Sequence, residues 1–230
     1  MRVPGKSLLW ALLFFAAATV HAQTPAPTAP HVTFAFHREG VPVPNYEITL
    51  YQDGAGLYRG TEIPHVEGQG VATDLPPHPF ERPIEVSSAT ATRVFTLAHQ
   101  LDAFNKPCNS KAKNLADTGA KTLTYTGPDA SGSCTFNYPI DKNVQALADT
   151  FQGIAETLDQ GRLLDHLHRY DRLGLDAAMK DLADEVAEGR SVEIGTIAPT
   201  LHSIADDPQV MDRVRARANT LLASVPAARP

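Results

Sequence analysis

At Asp141 the spacing of apolar residues changes, and this change constrains the fold more than any other feature of the chain. Upstream, apolar residues recur at every second position. Downstream they recur at every third and fourth, so a sheet must be joined to helices. Val32, Phe34 and Phe36 alternate with His31, Thr33 and Ala35, and Tyr46, Ile48 and Leu50 alternate with Glu47 and Thr49. Each run predicts a strand with one buried face. Asp53-Gly54-Ala55-Gly56 supplies a turn, and Leu57 to Glu62 returns as a partner strand. The stretch Thr122 to Tyr138 reads as a hairpin: Leu123 and Tyr125, then Cys134, Phe136 and Tyr138, lie on one face around the turn Gly127 to Gly132. Between these strands, Ser87 or Ser88 caps a helix carrying Val94, Leu97, Ala98, Leu101 and Phe104, which Pro107 ends. Residues 64 to 83 hold five prolines, Pro64, Pro76, Pro77, Pro79 and Pro83. They predict an irregular loop and preclude a central strand.

Downstream, Asp141 caps a long helix with the stripe Val144, Leu147, Phe151, Ile154 and Leu158. Gly161 is placed to bend or break it. Further helices are expected from Asp176 to Glu188, from about Thr196 to Ala205, and from Asp207 to about Ala223, where Asp207-Pro208 reads as an N-cap followed by proline at the first helical position. Strands first and helices later predict an α+β fold: a small antiparallel sheet packed by a long helix, followed by a short helical bundle. With 230 residues, 43% of them apolar, residues 31–140 and 141–225 are expected to share one core.

The N-terminus addresses the chain. Arg2 and Lys6, the apolar run Leu8 to Val20 and the small-residue ending Val20-His21-Ala22 have the three parts of a secretory signal over residues 1–22. The run of 13 residues is short of the roughly 20 needed to span a bilayer, so cleavage after Ala22 and no stable membrane insertion are expected. Residues 23–30, QTPAPTAP, form a Pro-rich spacer. The product is expected to be periplasmic or secreted. The whole chain carries a net charge of −6, and removal of Arg2 and Lys6 makes it two units more negative. Such a surface repels nucleic acid, and the one basic run, Arg213, Arg215 and Arg217, reads as a solvated helix face.

Cys108 and Cys134 are the only cysteines, and an oxidising compartment predicts that they pair. Closing that loop would stabilise by roughly 3 kcal/mol on the chain-entropy estimate. Three strands in simple order would hold the two cysteines about 9.6 Å apart, beyond the ~7 Å bridging limit. Cys108 must therefore lie on a bend or beside the strand of Cys134.

Other candidates for chemistry are weaker. His166 and His168 stand near Asp165 and Asp171, but residues two apart on a helix point away from each other, leaving only His168 with one aspartate for a metal. Asp181, Asp184, Glu185 and Glu188 form an acidic stripe opposite Met179, Leu182, Ala183 and Val186, as on the outer face of an amphipathic helix. Gly54 to Gly60 departs from a dinucleotide fingerprint in its last interval and is followed by no helix. Neither G-x-S-x-G, H-E-x-x-H, a phosphate-binding loop nor an EF-hand loop occurs. No catalytic, cofactor-binding or metal-binding residue is assigned.

The segments GAKTLTYTGPDASGSCTFNYPIDKNVQALADTFQGIAETLDQGRLL, SSATATRVFTLA and APTLHSIADDPQVMDRVRARA together resemble a group of uncharacterised secreted bacterial proteins. The resemblance implies secretion and one domain spanning both halves; it adds no function. The leading expectation is a non-enzymatic exported domain that binds a protein or envelope component. The alternatives are a hydrolase of unfamiliar type and a metal-binding protein centred on His168.

Overall fold

The computed structural model describes residues 29–63, 65–66, 70–71 and 76–225. The expected leader at 1–22 and most of the Pro-rich spacer lie outside these residues. Six strands form one antiparallel sheet: β1 (His31–His37), β2 (Asn45–Tyr51), β3 (Ala55–Glu62), β6 (His78–Glu85), β7 (Ala120–Thr126) and β8 (Ser131–Phe136). A separate short ribbon pairs β4 (His65–Val66) with β5 (Gly70–Val71). The sheet order is β6-β3-β2-β1-β7-β8, so β1 lies between β2 and β7. Helix α1 (Ser88–Gln100) precedes β7, and α2 (Lys142–Tyr170), α3 (Gly174–Ala187), α4 (Ala198–Asp206) and α5 (Asp212–Ala223) follow β8. The architecture is α+β, with the long helix on the sheet and the shorter helices beyond it.

The alternation along each strand sorts its side chains between two faces. Val32, Phe34, Ile48, Leu50, Tyr58, Leu123, Tyr125 and Phe136 are buried on the inner face. Phe151 of α2 stacks on Phe34 with ring centroids 5.2 Å apart, and Phe95 of α1 meets Tyr125 edge-on at 6.2 Å. Tyr138, expected on that face, is only half-buried. A single cluster of buried apolar side chains runs from Val32 through the α2 stripe to Leu221. Polar ties cross the same boundary. Glu193, in the left-handed conformation at φ 56°, accepts hydrogen bonds from Ser87 N (2.7 Å), Ser87 Oγ (2.8 Å) and Thr90 Oγ1 (2.5 Å) at the start of α1. A carboxylate there is favoured by the free N–H groups and the helix dipole.

Several local expectations are corrected. Part of the proline-rich segment is a strand: β6 pairs with β3 along its length and includes Pro79 and Pro83. It is an edge strand, and two prolines four residues apart leave donors missing on one side only, which an edge tolerates. Helix α2 does not break at Gly161. Both Gly153 and Gly161 are buried where another segment crosses: a Cβ at 153 would lie 2.9 Å from Arg190 O, and one at 161 would lie 2.5 Å from Ile197 Cγ2. The glycines serve close approach. Helix α1 ends at Gln100, and Asp102, Ala103 and Phe104 turn left-handed at φ 57°, 50° and 64°, delivering Phe104 to the core off the helix. Finally, Asp207 closes α4, and the following helix starts at Asp212. The Asp207 carboxylate accepts from Gln209 N at 2.8 Å, and Val210 N donates to Asp207 O at 3.0 Å, so Asp-Pro here makes a turn.

Cys108 and Cys134 are bonded, with Cα atoms 6.0 Å apart. Cys108 reaches its partner because its segment runs beside the end of β8. Ile140 N donates to Cys108 O at 2.8 Å, Ser110 N donates to Tyr138 O at 2.8 Å, and Asn109 bridges Pro139.

Candidate functional site

The inner face of the sheet is covered by α1 and α2; the outer face carries polar side chains. Threonine and serine hydroxyls pair across neighbouring strands there: Thr33 with Thr49 at 3.2 Å, Thr122 with Thr135 at 2.9 Å and Thr124 with Ser133 at 2.9 Å. Such cross-strand pairs stabilise the sheet and present a regular hydroxylated surface. A hollow on this face measures about 800 Å³, within the range of small-molecule sites. Ala35, Thr61 and Thr122 contribute small side chains to it, and His37, Glu47, Arg59 and Glu81 contribute the larger polar ones. Arg59 Nε donates to Glu81 Oε2 at 2.7 Å across β3 and β6, and His37 Nδ1 donates to Asn45 Oδ1 at 2.5 Å. A neighbouring hollow of about 600 Å³ shares His37 and Ala120 and extends toward Asn109 and Asp117.

Lys121 closes that end of the sheet from the inner side. Its Nζ donates to the carbonyl oxygens of Thr118 (3.2 Å), Gly119 (3.1 Å) and Asn137 (3.2 Å), and to Thr118 Oγ1 (3.1 Å). Burial holds its pKa below the ordinary lysine value, with Asp117 opposing the shift. This ammonium ties the entry to β7 to the exit from β8 and is a structural clasp.

A second polar group lies between α2 and the inner face. Tyr58 OH donates to Asp159 Oδ1 at 2.9 Å, and Arg162 stands 3.7 Å from Asp159 and 3.1 Å from Glu62. Burial pushes the Asp159 carboxyl up to about 6; Arg162 and the Tyr58 hydrogen bond oppose this, and Glu156 and Glu62 reinforce it. The same burial raises Tyr58 and Tyr46 well above the ordinary tyrosine value. A carboxyl tuned this way has the protonation behaviour of a general acid. Hydrolysis also needs an activated nucleophile or a held water, and among the described residues no serine or threonine hydroxyl is hydrogen bonded to a histidine. The only signals of this group in the sequence are faint: an acidic residue beside the apolar stripe of α2, and two tyrosines at inward positions of β2 and β3.

The residues singled out from sequence fall in separate places. His168 Nε2 meets Asp207 Oδ2 at 2.9 Å, and Arg172 reaches the same oxygen at 3.3 Å, so an arginine neutralises the carboxylate that a metal would need. Asp207 is held below the usual carboxylate range by Gln209 N–H first and His168 second. Asp171 instead accepts from Leu173 N and Gly174 N at the start of α3, and His166 packs on the Tyr170 ring at 5.0 Å. Among the described residues no three His, Cys, Asp or Glu side chains converge as metal ligands. In the acidic stripe Asp181, Asp184 and Glu188 are exposed, but Glu185 is half-buried, accepts from Ser191 Oγ at 3.0 Å and is raised in pKa by burial and by Glu156. Arg213 and Arg217 share a face, as expected, but they clamp Asp176 of α3 at 2.8 and 2.5 Å, while Arg215 turns to Asp212. That basic run holds α5 against α3.

Compared with known proteins, the chain matches no family model and no curated sequence. No helix among the described residues is long and apolar enough to cross a membrane.

Proposed function

We propose that the chain is a non-enzymatic exported binding domain whose recognition surface is the outer face of the sheet. The observation that carries this reading is the hollow of about 800 Å³ on a face that no helix among the described residues covers. Its small residues leave room, and its rim offers donors and acceptors of both signs, as orientation-specific polar recognition requires. The occupant is a polar segment of a protein or envelope component. The secretory pattern of residues 1–22 and the Cys108–Cys134 bond support export, because disulfides persist in oxidising compartments.

The test is site-specific cross-linking in the exporting cell. A photoreactive residue at Thr122, inside the hollow, should yield one dominant adduct that Arg59→Glu diminishes. The same probe at Asp184, on the far side of the helical layer, should yield none. Adducts of equal yield from both positions, or none from Thr122, would refute the reading.

A further inference from the structure

On the helical side of the sheet three arginines line one hollow of about 280 Å³ together with Asp165, His166 and Tyr170. Arg82 comes from β6, where the register pairs it with Tyr58 and so points it opposite to Glu81. Arg162 and Arg169 come from α2, seven residues apart and thus on one stripe. Arg162 is 19% exposed; its guanidinium lies over the Phe80 ring at 4.3 Å and reaches Glu62 at 3.1 Å. Its Nε is buried and makes no hydrogen bond. Among the described residues neither Arg82 nor Arg169 has an ion-pair partner. Three arginines bordering one small space repel one another; Glu62 (3.1 Å) and Asp159 (3.7 Å) stand against Arg162, and among the described residues Asp165 is the one carboxylate that lines the hollow itself.

From this convergence we infer that the hollow is a binding site for the phosphoryl group of a small phosphate ester. Forked guanidinium groups from three directions suit a tetrahedral oxyanion with several oxygens better than a carboxylate with two. Beside the arginines, Leu163 (45% exposed) and Tyr170 (74% exposed) form an adjoining stripe of α2 that covers the organic part of the ester. The acidic surface of the molecule, net −6 overall, repels extended polyanions and anionic membranes, while the lining of the hollow holds three arginines against one aspartate. This selects a small phosphate compound. The two hollows adjoin, since the Phe80 ring beneath Arg162 also borders the outer one, but phosphate binding and cross-linking at Thr122 are separate readouts, so either reading can fail without the other.

The test uses the full mature protein at low ionic strength, with inorganic phosphate as the probe and the side-chain ¹⁵Nε resonance of Arg162 as the readout. Saturable phosphate binding is expected, weakened at least tenfold in Arg82→Gln and in Arg169→Gln and by added sodium chloride. Arg93→Gln, on the exposed side of α1, should change it less than twofold. Thermal midpoints of the variants within a few degrees of the parent establish that each is folded. Absence of saturable binding, an equal loss in Arg93→Gln, or competition by acetate as effective as by phosphate would overturn the inference. So would binding to vesicles containing phosphatidylglycerol, with none to vesicles of phosphatidylcholine and none to free phosphate, since that pattern places the phosphoryl group in a membrane.

Discussion

Asp159 is the residue at which burial and charge compete most directly. Its side chain is 30% exposed, and loss of hydration outweighs Arg162 and the Tyr58 hydroxyl, so its carboxyl titrates near 6 instead of near 3.8. The native state therefore holds a proton between those two values that the unfolded state has released, and stability falls as pH rises across that window. The displacement between those two values corresponds to roughly 3 kcal/mol as an upper bound. Other carboxylates pull the opposite way: Asp176 and Asp207 are held low by arginine and by hydrogen bonds, and their contributions are lost on acidification. The comparison must therefore be with Asp159→Asn, which keeps an acceptor for Tyr58 and does not titrate. The stability of the parent relative to this variant should decline from pH 4 to pH 7 in thermal melts, and a carboxyl ¹³C resonance in the parent should titrate near pH 6. A flat difference across that range would show that Asp159 is well hydrated. The local sequence signals this only faintly, because Tyr58 and Asp159 are brought together by the docking of α2 on β3.

Elements whose cause is local could be read from the sequence, and elements whose cause is a distant neighbour could not. Ser87 and Asp141 cap α1 and α2 as expected, since capping involves only the next three residues: Ser87 Oγ accepts from Thr90 N at 3.3 Å, and Asp141 Oδ1 accepts from Val144 N at 3.0 Å. The hairpin of β7 and β8 follows for the same reason. By contrast, Pro79 and Pro83 argue against a strand until the order of the sheet makes β6 an edge, and Asp207-Pro208 suits a helix start and a turn equally well. Gly161 shows the ambiguity most clearly, because a mid-helix glycine signals either a weak point or a crossing. In an exposed helix interior Gly→Ala gains about 0.5–1 kcal/mol. Here the new methyl would meet Ile197 Cγ2 at 2.5 Å, so Gly161→Ala should destabilise by about 1–3 kcal/mol through overpacking. Combining it with Ile197→Ala should cost less than the two changes summed, a coupling measurable by denaturant unfolding. A stabilising Gly161→Ala would mean that the segment 194–197 does not press on α2.

At the scale of the whole molecule the question is whether sheet and helices unfold as one. The inner face of the sheet and the apolar stripe of α2 are each half a core, joined by a short link through Pro139 and Ile140. Phe151 is fully buried and stacked on Phe34 of β1, near the middle of the sheet, so its removal damages both layers at once. Further ties run across the boundary through Tyr58 to Asp159 and through Glu193 to Ser87 and Thr90. Phe151→Ala should accordingly destabilise the protein by about 3–5 kcal/mol through lost transfer energy and a residual cavity, a large part of a typical total of ~5–15 kcal/mol. Among the described residues the Asp184 side chain makes one ion pair, an exposed i, i+4 contact with Lys180 at 2.6 Å. Asp184→Ala should change stability by no more than about 0.5 kcal/mol. The parent and both variants should each show one cooperative transition, coincident when followed by far-ultraviolet circular dichroism, which reports mainly the helices, and by tyrosine fluorescence, which reports mainly the sheet. Separate transitions for the two probes, or a Phe151→Ala variant as stable as Asp184→Ala, would mean that residues 31–140 and 141–225 fold as independent units whose contact adds little to either.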